Sequence, residues 1–218
     1  MKFVAPRRPI VRGSRARHAK INASVQFICL RYPPSLLMTI TVYSVGHSNR
    51  RIEQLLALLH EAGIRLLVDV RSQPVSPRHP QFEGESLRAE LEAAGVQYHW
   101  AGRSLGGLRS PRPDSPHIAL AEDGLRGYAD HMGTEIFKKG VAQLINLAGR
   151  SSTAVLCAER LPEQCHRQLL ADYLLLQGLT VVHLIDPGER RDHQLSAQAR
   201  RESAQLIYDR LSSGRLDL

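Results

Sequence analysis

The side chains best suited to chemistry crowd one stretch of this chain, Thr153 to Tyr173, reading TAVLCAERLPEQCHRQLLADY. Two thiols (Cys157 and Cys165), an imidazole (His166), a guanidinium (Arg167) and a carboxylate (Glu159) fall between residues 157 and 167. The apolar run Thr153 to Cys157 predicts a short strand covered on both faces. Leu161-Pro162-Glu163 predicts the start of the next helix, because proline suits a first turn and an acid suits the positive helix end. On that reading Cys165, His166 and Arg167 lie in the first helical turn, where unpaired backbone N–H groups favour anions and thiolates. The chemistry indicated is an anion site or an activated cysteine.

Positioning such a site requires elements on either side of it. Ile40 to Val45 alternates and is rich in β-branched and aromatic residues, which predicts a first strand ending at Gly46-His47-Ser48-Asn49. A helix follows over about 51–62, with Ile52, Leu55, Leu56 and Leu59 on one face and Gly63 as its stop. Leu66 to Val70 reads as strand two, with Asp69 near its end, and the proline-rich run Arg71 to Gly84 as a loop. A helix over 85–94, a third strand over 96–100, a glycine-rich loop over 102–116 and two helices over 124–148 divided near Gly133 come next. After the fourth strand and its helix to Leu176, Thr180 to Ile185 predicts a fifth strand, and Ser196 to Leu211 a terminal amphipathic helix.

Alternating strand and helix is the pattern of an α/β domain with a largely parallel sheet of about five strands and helices on both faces. Right-handed crossovers place the strand-to-helix loops on one sheet edge, where such folds bind ligands. Three clusters converge there: His47, Ser48 and Asn49; Asp69 and Arg71; and Cys157, Glu159, Cys165, His166 and Arg167. The expected catalytic groups are Cys165, or else Cys157, as nucleophile or redox thiol, His166 or His47 as its activator, and Asp69 and Glu159 as orienting groups or general base. Arg167 and Arg71, with Ser48, Asn49, Gly106 and Gly107, are the expected substrate-binding residues, for a small anionic ligand of phosphate or nucleotide type.

Read together, several stretches resemble the domain of unknown function 488. They are Gly46-His47-Ser48-Asn49-Arg50; Asp69-Val70-Arg71 with Pro74, Ser76 and Phe82; Tyr98; Leu105-Gly106-Gly107; Cys157-Ala158-Glu159; Cys165-His166-Arg167; and His183. The resemblance runs from about Ile40 to Ile185 and implies a compact α/β fold with no established reaction. The family commonly has arginine directly after the two glycines, where this chain has Leu108 and then Arg109. Asp69-Val70-Arg71 also resembles a strand-end motif of rhodanese-like domains, but the cysteine loop lacks the nucleophile-to-arginine spacing of those enzymes.

Blander roles compete for the same residues. Cys165 lies four residues before Leu169 and eight before Tyr173, on the stripe that faces the core, so it reads equally as a buried inert thiol. Glu159 and Asp69 would satisfy Arg167 and Arg71 as a structural ion-pair network. No metal is expected, because the spacing of Cys157, Cys165, His166 and His47 matches no common zinc pattern and adjacent helical residues point apart. Gly46-His47-Ser48 and Leu105-Gly106-Gly107 lack the spacing of a dinucleotide fingerprint or P-loop, so no cofactor is assigned.

Composition narrows the partners. At 218 residues, 43% of them hydrophobic and 23% charged, the chain is long and apolar enough for one globular domain, expected over 38–218. Residues 1–37 hold eight basic side chains and no acid, while the other 21 basic residues face 21 acids. The net charge of +8 is therefore that of a basic extension, expected to be disordered or to precede a true start at Met38. Cys29, Cys157 and Cys165 are too few for a disulfide framework and point to a reducing cytoplasm. No run approaches the ~18 apolar residues of a membrane helix, so no membrane partner is expected. The alternatives to an enzyme are a thiol redox sensor and a non-catalytic module for a protein or nucleic acid, the latter bound through the basic extension. Nucleic-acid binding by that route should weaken steeply with salt and vanish when residues 1–37 are deleted, as read by gel-shift titration; salt-insensitive binding would exclude it.

Overall fold

The computed structural model describes residues 40–203 and 205–210. The basic extension with its expected boundary at Met38, and the last residues of the chain, lie outside the described residues. Five parallel strands form the sheet: β1 (Thr41–Gly46), β2 (Leu66–Asp69), β3 (Gln97–Trp100), β4 (Thr153–Cys157) and β5 (Thr180–Asp186). A sixth, β6 (Glu189–Asp192), joins β5 antiparallel at the edge, giving the order β3-β2-β4-β1-β5-β6. Among the described residues six α-helices accompany them: α1 (Ile52–Glu61), α2 (Gly84–Ala93), α3 (Gly102–Leu105), α4 (Asp123–Met132), α5 (Glu135–Ala148) and α6 (Arg167–Leu176). This is the expected α/β domain with a largely parallel sheet.

Side-chain alternation along the strands builds two cores. Ala154 and Leu156 of β4 join Val45 and Leu67 under Leu55 and Leu59 of α1 and Leu87 and Leu91 of α2. Val155 and Cys157 face the other way, with Val42 and Val68, toward Tyr128 of α4, Phe137 and Val141 of α5, and Leu169, Leu170 and Leu174 of α6. All five residues of β4 are buried, as its unbroken apolar run requires. Because β4 lies between β2 and β1, the loops leaving those three strands are neighbours at the carboxyl edge.

Three expectations need correction. The helix expected from Leu161 begins instead at Arg167, after a single 3-10 turn over Pro162–Gln164. Cys165 between them is extended (φ −148°, ψ 150°), its N–H donating to the Pro162 carbonyl, and His166 is the N-cap residue. Proline at the turn's first position pre-sets φ but does not oblige the next turn to continue. The terminal helix expected over 196–211 is a two-stranded antiparallel ribbon, β7 (Ala199–Glu202) and β8 (Gln205–Tyr208). Leu206 and Tyr208 are buried two residues apart, a strand period that outweighs the helical propensity of the surrounding polar residues. Third, β6 was not anticipated; its four exposed charged residues carry no apolar pattern, as suits an edge strand.

The ribbon is tied down through Asp172, a fully buried acid inside α6. Its carboxylate accepts from the Tyr208 hydroxyl (2.9 Å), the Ser196 N–H (2.9 Å) and His193 Nε2 (2.9 Å). His193 Nδ1 then meets Nε2 of His183 at 2.9 Å. Burial, with the positive charges of His193, Arg167 and Arg191, lowers the His183 pKa to about 3. Since that lies below the unfolded value of about 6.5, the native state binds fewer protons. The contribution is fully present above pH 6.5 and is lost as the pH falls toward 3. Denaturant unfolding at pH 7.5 and pH 5 should therefore differ by on the order of 2 kcal/mol from this group alone, and His183→Gln should flatten that dependence. An unchanged slope in the variant would show that His183 is not the titrating group.

Candidate active site

A cleft of about 320 Å³ opens at the carboxyl edge. It gathers His47 from the end of β1, Arg71 and Ser72 from the end of β2, Gly107 from the glycine-rich loop, and Cys157, Glu159, Gln164, Cys165 and His166 from the segment after β4. Leu125 and Glu122, at the start of α4, complete the wall. Two backbone bonds bind the β1 loop to the β4 loop, His47 N–H to the Cys157 carbonyl (3.0 Å) and Ser48 N–H to the Ala158 carbonyl (2.7 Å). Gly46 permits this approach, because a Cβ there would lie 1.7 Å from the Glu159 carbonyl oxygen.

The floor of the cleft is a sulfur and nitrogen cluster. His166 Nδ1 lies 3.6 Å from Cys165 Sγ and 3.8 Å from Cys157 Sγ. Its Nε2 is 3.2 Å from the Val70 carbonyl, which can only accept, so Nε2 carries the proton and Nδ1 turns toward the thiols. The extended conformation of Cys165 is what lets adjacent Cys165 and His166 converge, which neighbouring positions within a helix would not do. Tyr128 packs against the imidazole with ring centroids 4.8 Å apart. The acidities of the two thiols are split: the neighbouring Cys157 sulfur, His166 and the charge of Arg167 hold the Cys165 thiol well below its ordinary range, while the Cys165 sulfur and burial push Cys157 well up. Cys165 is thereby the more acidic thiol of the pair.

The two expected anion-binding arginines are otherwise engaged. Arg167, 1% exposed, donates to the Glu159 and Arg160 carbonyls and to Ser44 Oγ, and it does not line the cleft. Its partner is the backbone of Glu159, whose carboxylate is exposed at the cleft. Arg71 lines the cleft but is clasped by the fully buried Asp69, with Nε 2.9 Å from Oδ1, while Nη1 donates to the Phe82 carbonyl (2.8 Å). Asp69 also accepts from the Tyr98 hydroxyl (2.8 Å), so it orients an arginine and not a histidine.

His47 stacks on Phe82 at 4.3 Å and contacts the Ser48 carbonyl through Nδ1 (2.9 Å), leaving Nε2 facing Arg71 Nη1 at 3.4 Å. Burial, and the positive charge of Arg71, lower its pKa to about 4, so it stands neutral at pH 7. Its Nε2 lone pair therefore faces Arg71.

Ser48 and Asn49 lie apart, in a separate hollow with Arg51, Arg160 and Asp186. Gly106 does not line the cleft; it packs on Ser72, whose Oγ accepts from Leu108 N–H at 2.8 Å. Arg109 turns back to the Gly106 and Arg103 carbonyls (3.1 and 2.8 Å), leaving Leu108 exposed on the cleft wall. Sequence reasoning missed Tyr128, Ser72, Gln164 and the Val70 carbonyl. Tyr128 falls in a segment expected as helix, where its period marks it as core, and the others have no spacing that marks them.

Fold and site together define a parallel α/β domain with a cysteine–histidine centre on the carboxyl edge of its sheet. Residues 51–174 match the Domain of unknown function DUF488, and the chain belongs to that family. No curated protein and no solved structure matches the chain. No helix among the described residues is long and apolar enough to cross a membrane.

Gly107 holds the imidazole in place by lying against it: a Cβ there would come 2.3 Å from Nδ1 and 2.7 Å from Cγ of His166. Gly107→Ala should push the ring from the sulfurs at a cost of about 1–3 kcal/mol. Calorimetric melting and the imidazole resonances of His166 would report this, and an unaltered spectrum would show that the glycine is not required.

Proposed function

We propose that the protein is an enzyme that acts on a small substrate in this cleft, with Cys165 as nucleophile and His166 as the group that takes and returns its proton. The observation that carries the reading is the placement of Nδ1 against both sulfurs at the floor of an open cleft, with Nε2 anchored on Val70. An oriented base beside a thiol is the arrangement nucleophilic catalysis needs. Cys157, whose thiol the neighbouring Cys165 sulfur and burial push up, is the weaker acid and is not the nucleophile in this reading.

What the cleft leaves available bears on the substrate. Arg167 is outside it and most Arg71 donors are taken, while Glu122 and Glu159 stand exposed along its wall. This supports a small polar electrophile held by neutral groups such as Ser72 and Gln164 more than it supports a phosphate-like anion. A thiolate nucleophile also fits a reducing compartment, and the cytoplasm is the location this reading implies.

Iodoacetamide labelling of the reduced full chain carrying Cys29→Ser tests the reading without knowledge of the substrate. Cys165 should be alkylated at pH 7 before Cys157 and faster than a free cysteine, and His166→Gln should slow it about tenfold or more. Labelling of Cys165 only after denaturation would overturn the assignment and leave a buried inert thiol.

A further inference from the structure

Two thiols around one imidazole nitrogen present more than a nucleophile and its base require. The Nδ1 lone pair of a neutral imidazole accepts one well-aligned S–H bond, yet both sulfurs lie within 3.8 Å of it. The three ligand atoms, Cys157 Sγ, Cys165 Sγ and one ring nitrogen of His166, fall within 4.8 Å of one another. Zinc binds sulfur at about 2.3 Å and imidazole nitrogen at about 2.0–2.1 Å, so tetrahedral angles place those S and N atoms about 3.6 Å apart. The observed S–N separations of 3.6 and 3.8 Å match that spacing, and the two sulfurs, within 4.8 Å of each other, need draw no closer than about 3.8 Å.

The surroundings fit the same chemistry. Metal-bound histidines typically donate their other N–H to a carbonyl or carboxylate, as His166 Nε2 does to Val70 at 3.2 Å. Access is through the cleft, where the carboxylates of Glu122 and Glu159 favour entry of a cation. Two thiolates and a neutral imidazole balance a divalent charge, and three protein ligands on an open cleft leave one position for water or a small molecule. The sequence pattern hid this set because Cys165 and His166 are adjacent, and only the extended backbone at Cys165 brings both inward.

We propose that Cys157, Cys165 and His166 form a three-ligand site for a thiophilic divalent cation of the zinc type, with its fourth position open to the cleft. The site goes beyond the enzyme reading. It bears on that reading in one respect: a sulfur bonded to the metal no longer offers its lone pair to a substrate, so loading silences the Cys165 nucleophile. Binding displaces the remaining thiol protons to solvent and changes no oxidation state.

Cobalt(II) titration of the reduced full chain carrying Cys29→Ser reads the site directly. One equivalent should produce thiolate-to-cobalt charge-transfer bands and the visible bands of a tetrahedral ion. Zinc(II) should displace it and protect both cysteines from iodoacetamide, and Cys157→Ser and His166→Gln should each weaken binding about tenfold or more. X-ray absorption on the zinc-loaded chain with both cysteines intact needs neither ligand variant, and two sulfur neighbours are expected. Fewer than two sulfurs, absent thiolate bands, or unchanged affinity in both variants would overturn the site. Fast labelling without metal protection would overturn the site while leaving the nucleophile standing; metal binding with inert metal-free thiols would support the site and remove the nucleophile.

Discussion

Burying a guanidinium costs several kcal/mol unless its charge and its donors are met, and Arg167 is met only in part, by neutral groups. Carbonyls of Glu159 and Arg160 and the hydroxyl of Ser44 take N–H groups of its two terminal nitrogens, its Nε has no partner, and no carboxylate among the described residues pairs with it. Its positive field therefore acts on the nearest acids that can ionise, the two thiols, and favours a negative charge on that pair. The same bonds fix the turn after Cys157, so one side chain both shapes the cleft's wall and favours negative charge at its floor. Gly46 belongs to this arrangement, since any side chain there would collide with the carbonyl that Arg167 holds.

The candidate site was legible to the extent that strand ends could be located. His47, Arg71 and Cys157 come together as expected because β4 separates β2 from β1, and each strand ends where its apolar run ends. Which role each residue plays was not legible. Arg167 and Arg71 read as anion holders, but whether a guanidinium is free depends on carbonyls and on Asp69 arriving from elsewhere in the fold, and a linear pattern does not carry that information. Cys165 was placed in a helix by a proline and an acid. The chain makes a single 3-10 turn there and leaves Cys165 and His166 between that turn and the helix, a break that decides where the thiol points.

The fold was legible where apolar period and length agreed, as for α1, α5 and the five parallel strands. It failed after residue 186, where local composition is polar. The segment Ser196 to Leu211 has strong helix formers, but Tyr208 is required by Asp172 and His117, whose Nδ1 accepts from the Tyr208 N–H at 3.2 Å, and those tertiary bonds hold it as a strand. The β6 edge had no apolar residue to announce it. Its charges have a physical use there, because they discourage another strand from pairing with an open edge.

The strand order also governs when this domain can exist during its own synthesis. Among the described strands, β1 hydrogen-bonds only to β4 and β5, and β2 only to β3 and β4. A nascent chain that has emerged to residue 150 thus holds one strand with no neighbour and one unsupported pair, about 110 residues of apolar faces awaiting Thr153–Cys157. Such long-range closure is slow compared with local helix formation. The central strand that carries the first sulfur is therefore also the last piece needed to join the sheet's two halves.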